Sequence, residues 1–269
     1  MRTIAGRKYS LLVSANQIAP YRKVIHSCNF SWVIGSDWPI AKFCSSLKDA
    51  TGVTMLSLLD MTRVRRLLCL GAHCDDIEIG AGGTIMHLTK AYPQIEVRWV
   101  ILAGEDPMRV EEARRSAEVF LSGSGASEIS IYGFRDGFLP YQGELVKEAF
   151  EDLKVNFAPD LILTHHDDDR HQDHRLVSQL TWNTWRDHMI LEYEIMKYDG
   201  DLGRPNFYMP LPEDVCRDKI AGLLEAFPSQ TKRPWFDEGT FWSLLRLRGV
   251  ECNAPSRLAE AFHVRKVVA

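Results

Sequence analysis

From Arg65 onward, short apolar runs alternate with stretches in which apolar residues recur at helical spacing. RRLLCLG (65–71) is an apolar run that ends in Gly and reads as a buried strand. IEVRWVILAG (95–104), EISIYGF (128–134) and DLILTHH (160–166) repeat that pattern. GGTIMHLTKAY (82–92), RVEEARRSAEVFL (109–121), ELVKEAFEDLKVNF (144–157) and DHRLVSQLTWNTW (173–185) read as the intervening helices, most plainly 109–121, which sets an apolar face against a charged one. This succession of strand–helix pairs predicts right-handed crossovers and an α/β fold, a mostly parallel sheet with helices on both faces. ILEYEIMK (190–197) and NFYMPL (206–211) predict later strands, and EDVCRDKIAGLLEAF (213–227) a helix. The stretch 199–212 holds Gly200, Gly203, Pro205, Pro210 and Pro212, and is expected to be mobile or to face the substrate.

The chain before Arg65 has a different texture. Residues 1–36 carry Arg2, Arg7, Lys8, Arg22 and Lys23 and no acid. Their apolar stretches are short and broken by Gly, Pro and Ser, whereas a secretory signal needs a continuous apolar core of about 7–15 residues and a small-residue cleavage site. The expectation is an N-terminal extension over 1–60, read as a surface decoration or a start assigned too early with Met55 and Met61 as alternatives, ahead of a transit-like or membrane-surface role, followed by one domain over 61–269.

Composition narrows the class of protein. At 269 residues, 45% apolar and 25% charged, the chain can bury a core without staples. A net charge of −4 argues against a nucleic-acid partner. No apolar run reaches the roughly 18 residues of a membrane-spanning helix, so no integral membrane segment is expected. The six cysteines are scattered without a CxxC pair, which favours reduced thiols in a cytoplasm over disulfides or a cysteine zinc site.

Two loops carry the chemistry. In an open parallel sheet, ligands bind beyond the carboxyl ends of the strands. The first strand runs into His73-Cys74-Asp75-Asp76-Ile77-Glu78, and the fourth into His165-His166-Asp167-Asp168-Asp169-Arg170-His171-Gln172-Asp173-His174. His73 and Asp76 sit three apart at a strand-to-helix turn, and His174 opens the next helix. Two His and a carboxylate with an open fourth position form a catalytic zinc pattern, which acidifies a water to a pKa of about 7. Asp75 is placed to take that water's proton. His171 could face the substrate carbonyl as a cation, with Asp173 orienting its ring. Acids near helix starts are favoured by the helix dipole in any case; two such clusters at two strand ends are harder to explain as surface polarity.

Ala72-His73-Cys74-Asp75-Asp76-Ile77-Glu78-Ile79-Gly80-Ala81-Gly82-Gly83 resembles the A-H-P-D-D-x-E-x-G-x-G-G signature of the LmbE-like, or PIG-L, deacetylases. His171-Gln172-Asp173-His174 resembles their H-P-D-H motif, and Arg109-Val110-Glu111-Glu112-Ala113 their R-x-x-E-A helix. Ser229-Gln230 and Ala259-Glu260-Ala261-Phe262 are similar to the family's C-terminal signatures. The resemblance covers roughly Arg65 to Val267. It implies a Rossmann-like fold and a zinc enzyme, with about one ion per chain, that removes the acetyl group from N-acetylglucosamine-type sugars. It implies His73, Asp76 and His174 as metal ligands and Asp75 as general base. It implies His171 as oxyanion stabiliser or proton donor to the leaving amine, paired with Asp173, and Arg109 and Asp136 as sugar contacts. Cys74 stands where the family has proline, and Asp169 where some members carry tyrosine.

Other readings remain beside this one. Gly80-Ala81-Gly82-Gly83 is no dinucleotide fingerprint, because the turn after the first strand carries acids rather than G-x-G-x-x-G. A metal-dependent amidase acting on a thiol or other non-sugar conjugate, and a non-catalytic binding protein on the same fold, are the alternatives. The expected partner is a small amino sugar on a larger aglycone that rests on 199–212; homo-oligomerisation is left open. Trp182, Trp185, Tyr193, Phe207 and Tyr208 are candidate aromatic platforms for the sugar, or else core residues.

Overall fold

The structure, a computed structural model, describes residues 60–268. The expected extension, with its alternative start at Met55, lies outside the described residues except for Asp60. Asp60 caps a short 3-10 turn, Met61–Arg63, by accepting the Thr62 N–H at 3.1 Å.

Five strands, β1 (Arg66–Gly71), β2 (Glu96–Ile101), β3 (Ala126–Ile131), β4 (Leu161–His165) and β5 (Met189–Tyr193), alternate with four helices, α1 (Asp76–Ala91), α2 (Pro107–Phe120), α3 (Gly143–Asn156) and α4 (Gln172–Thr184). β6 (Phe207–Pro210), α5 (Glu213–Ala226), α6 (Glu238–Glu251) and β7 (Ala259–His263) follow. The sheet order is β3-β2-β1-β4-β5-β7-β6. β1 pairs in parallel with β2 and β4, Leu67 lying opposite Val97 and Leu161. β7 pairs antiparallel with β5 and β6. The chain therefore winds outward from β1 in one direction and restarts at β4 in the other, which opens a crevice at their carboxyl ends.

Alternation along β1 builds both faces of the sheet. Leu67 and Cys69 join the core formed with α1, α2, α5 and α6, while Leu68 and Leu70 join the one formed with α3 and α4. Local signals set the helix starts. Asp106 precedes Pro107 and accepts the Met108 N–H at 2.9 Å, and Asp237 accepts the Thr240 N–H at 3.0 Å.

Several boundaries differ from the expectation. α1 begins at Asp76 rather than at Gly82, because its glycines pack instead of breaking the helix. A Cβ on Gly80 would fall 2.2 Å from the Tyr193 ring, and one on Gly82 would fall 2.5 Å from Phe120. A buried ion pair also enters beside this helix. Lys219 donates to the Ile79 carbonyl at 2.7 Å and to Glu260 at 2.5 Å, and Glu260 accepts the N–H groups of Gly83 and Thr84 at 2.8 and 2.7 Å. In an unbroken ladder the Ile79 carbonyl would take the Gly83 N–H, so the pair satisfies groups of the helix itself.

β7 and α6 were not expected as elements. β7 reads as polar because it carries Glu260, whose partner comes from another helix. Within the segment 199–212, Phe207–Pro210 forms the strand expected over 206–211 and pairs with β7. No helix among the described residues is long and apolar enough to cross a membrane.

Candidate active site

The turn between β1 and α1 is closed by its own carboxylate: the His73 N–H donates to Asp76 Oδ2 at 2.6 Å. From the neighbouring strand, β4 leads through the 166–171 loop to α4, whose first turn carries His174. The crevice brings the two loops together. His73 Nδ1 lies 3.1 Å from His174 Nε2 and 3.2 Å from Asp76 Oδ2, and His174 Nε2 lies 3.5 Å from Asp76 Oδ1. Ligand atoms bound at 2.0–2.1 Å in a tetrahedron are separated by roughly 3.3 Å, so the three groups have the spacing of a zinc-type site.

The outer nitrogens are already committed. His73 Nε2 faces Asp173 at 3.2 Å and Asp136 at 3.1 Å, and His174 Nδ1 faces Asp169 Oδ2 at 2.8 Å. A proton on each outer nitrogen leaves two inner lone pairs confronting each other at 3.1 Å. A proton shared between them, or a metal cation in its place, relieves that arrangement. This is how metal-binding imidazoles are oriented by carboxylates behind them. Burial lowers the pKa of His73 and His174, but the surrounding carboxylates raise both above the ordinary histidine value. Burial likewise pushes Asp76 up, yet His174, His73 and His165 hold it well below the usual carboxylate range. A metal entering here displaces protons rather than filling a neutral hole.

His165, at the end of β4, offers a competing set with Asp76 and His174. It is fully buried, its Nε2 accepts the Ala72 N–H at 3.0 Å, and burial lowers its pKa to about 4. It forms the floor of the site, stacking on His174 with ring centroids 3.9 Å apart. His73 faces the cleft and leaves the site open to substrate.

Asp75 is the N-terminal cap residue of α1 and is 6% exposed. Its Oδ1 lies 3.0 Å from Arg109 Nη2. Burial pushes its carboxyl up and the guanidinium pulls it back, leaving it above the ordinary value. Arg109 sits in the first turn of α2, where it also bonds Glu112 at 3.1 Å and Ser229 at 3.2 Å. Glu112, buried to 2%, accepts the Ser229 N–H and hydroxyl at 2.9 and 2.7 Å. The R-x-x-E and S-Q signatures thus meet in one network. Arg109, expected as a sugar contact, has much of its fork engaged by protein.

Asp173 does not pair with His171 through its carboxylate. It bonds the N–H groups of Gly137 and Leu139 at 2.7 and 3.1 Å and reaches His73. His171 instead caps α4, its Nδ1 accepting the Asp173 N–H at 3.3 Å. The reason is local: helix-start N–H groups need acceptors, and a ring placed just before them supplies one. His171 therefore carries its proton on Nε2. Burial lowers its pKa, as do the positive charges of His174 and His73, so a neutral donor replaces the expected cation. Asp136 stands at the rim with its side chain 72% exposed, and the His73 hydrogen bond keeps it ionised below the ordinary value.

His73, Asp75, Asp76, Arg109, Asp136, His171 and His174 line a cleft of about 290 Å³ together with Lys197, Tyr198, Asp199, Gln230, Arg233 and Trp235. A larger cavity of about 850 Å³ is lined by His166, Asp168, Arg170, Arg204 and His263. None of the candidate metal groups lines it. Asp169 separates the two, lining the cavity while holding His174 and, at 3.0 Å, Lys197. Cys74 is buried and its thiol is pushed up to about 12 by burial, so it is no nucleophile. Of the expected aromatic platforms, Trp185 and Tyr193 are core, and Trp182, Phe207 and Tyr208 lie outside the cleft. The roles of His165, Asp169 and Glu112 were missed from sequence; the acids and histidines were visible, but their partners were not.

Residues 68–185 match the family described as GlcNAc-PI de-N-acetylase, PIG-L. Diacetylchitobiose deacetylase of Thermococcus kodakarensis is 33% identical over 131 residues, 42% of this chain and 46% of that protein, so the match spans under half of that relative. An uncharacterised deacetylase of Escherichia coli, YaiS, is 32% identical over 151 residues, 51% of this chain and 78% of its own length. Among solved structures, N,N'-diacetylchitobiose deacetylase from Pyrococcus horikoshii superposes with a TM-score of 0.62 at 20% identity, covering 86% of this chain and 94% of that one. The same fold recurs in GalB, the 4-carboxy-2-hydroxymuconate hydratase of a Pseudomonas putida strain, at a TM-score of 0.58 and 18% identity, covering 76% and 98%. Fold alone therefore leaves the reaction to be argued from the site.

Proposed function

This chain belongs to the PIG-L family, and on that premise we propose that it is a zinc-dependent hydrolase that removes the N-acetyl group from an N-acetylglucosamine-type sugar carried on a larger aglycone. The observation that carries the reading is the His73–His174 confrontation at 3.1 Å beside Asp76, with the Asp75 carboxylate at the same turn and an open cleft in front. His73, Asp76 and His174 would hold about one zinc ion per chain, with Asp169 and Asp173 fixing the two rings. When bound, zinc supplies Lewis acidity to the scissile carbonyl and lowers the pKa of the attacking water to about 7.

The chain's own groups do the proton work. Asp75 accepts the proton from the water, and its raised pKa brings it nearer the working pH. Arg109 keeps that carboxylate charged and aimed. His171 presents its Nε2–H to the carbonyl oxygen, and the proton that Asp75 has taken from the water passes to the departing amine. Asp136, exposed at the rim, accepts from a ring hydroxyl of the sugar. The catalytic unit is residues 61–269, since every group named here follows Met61.

The deciding experiment is acetate release from a panel of N-acetylglucosamine conjugates, with and without a chelator. Release that is abolished by chelation and restored by zinc is expected. No release from any N-acetylated sugar, or equal turnover of simple acetamides, would withdraw the reading.

A further inference from the structure

We propose that Tyr198 and Trp235 form a second subsite that takes a pyranose ring of the aglycone, so that the preferred substrate is an oligosaccharide rather than a lipid conjugate. The proposal rests on the deacetylase reading of the cleft. Both rings line the same cleft as the candidate metal groups. They meet edge to face, with centroids 6.5 Å apart and planes at 89°. Tyr198 is 68% exposed. Among the described residues, neither ring stacks on His73, His171 or His174.

The Trp235 half of this platform is fixed by packing. Trp235 packs against Phe236 at 5.7 Å, and Phe236 is buried between Phe227 and Phe241 at 6.5 and 5.2 Å. The loop from Phe227 to Phe236 is made of successive turns: Gln230 N–H to Phe227 O, Arg233 N–H to Gln230 O and Phe236 N–H to Arg233 O, at 3.0, 2.9 and 2.9 Å. Glu112 clamps its start through Ser229. A surface ordered before binding loses little entropy when a ligand settles on it.

The chemistry around the rings selects the occupant. A pyranose offers an apolar C–H face and a girdle of hydroxyls. Tyr and Trp supply flat apolar surface with a polar tip. Gln230, Arg233 and Asp199 border them with donors and acceptors, and Arg233 is exposed. An acyl chain would want a continuous apolar trough, but among the described residues Ile79 and Ile195 are the only aliphatic side chains lining this cleft.

The test uses the full chain and its Trp235→Ala, Tyr198→Ala and Trp235→Phe variants. Acetate release is compared on free N-acetylglucosamine and on N,N'-diacetylchitobiose, with zinc content measured on each protein. Expected is a loss of about tenfold or more in kcat/KM on the disaccharide for Trp235→Ala. The loss is carried by KM, the monosaccharide is unaffected, and Trp235→Phe recovers most of it. Equal losses on both sugars, or none on the disaccharide, would overturn the proposal. Should the wild type release no acetate at all, the deacetylase reading fails, while calorimetric binding of chitobiose against glucosamine still judges the subsite. Binding of the two with equal affinity, or indifference of chitobiose binding to Trp235→Ala, would then overturn it.

Discussion

Asp169 Oδ2 accepts the Nδ1–H of His174 at 2.8 Å, and the same carboxylate meets Lys197 Nζ at 3.0 Å through Oδ1. The contact fixes Nδ1 of His174 as the protonated nitrogen and leaves Nε2 facing His73. Burial pushes Asp169 up, but the His174 hydrogen bond and the neighbouring positive charges hold it far below the carboxylate range. Asp169→Ala should weaken zinc binding by about 10–100-fold, the usual worth of a carboxylate behind a ligating histidine. Asp169→Asn, whose amide oxygen can still accept the proton, should lose less. Zinc titration against a competing chelator reads both; unchanged affinity in the alanine variant would show that His174 is not held this way.

The adjacent carboxylates Asp75 and Asp76 should separate in their effects. Asp76→Asn removes charge from the triad and should lower zinc content together with activity. Asp75→Asn should retain zinc while turnover falls by about 10²–10⁴. Metal analysis and kcat measured on the same preparations distinguish the two, and the reverse outcome would exchange their roles.

Glu78, fully buried on α1, carries a carboxyl raised by burial from 4.5 to about 8, which the Ser116 hydroxyl only partly offsets. The folded chain thus keeps a proton that the unfolded chain releases above 4.5. Between 4.5 and about 8 the native state binds more protons, so this group's contribution to stability falls as pH rises through that window. The slope is at most about 1.4 kcal/mol per pH unit. Glu78→Gln keeps the shape without the ionisation, and its Tm advantage over the wild type should grow toward the alkaline end. Calorimetric melts across the window test this; parallel Tm curves would refute it.

Glu260 and Lys219 are 4% and 3% exposed and satisfy each other as well as α1. Glu260→Ala would strand a buried ammonium and leave the Gly83 and Thr84 N–H groups without their acceptor. A loss of about 3–5 kcal/mol in denaturant unfolding is expected. A loss under about 1 kcal/mol would place the pair among weakly contributing ones.

Much of this protein was legible along the chain. Strand and helix periods report burial on one or two faces, so β1 through α4 emerged in order, and with them the parallel sheet. The placement of His73, Asp76, His171 and His174 followed, because residues after parallel strands collect at one edge of the sheet. What periodicity cannot say is which distant surface a side chain meets. The Asp173 carboxylate bonds His73 from 100 positions away rather than the ring of its neighbour His171, and Glu260 reaches Gly83 across 177. The same holds for β7, which lies between β5 and β6 with its buried acid paired to Lys219 from a distant helix. The sequence by itself determined which polar residues gather beyond the strands and at which end of the sheet they do so. Only the tertiary structure decided how their protons are arranged, since a hydrogen bond is set by the position and direction of both partners and a residue pattern records neither.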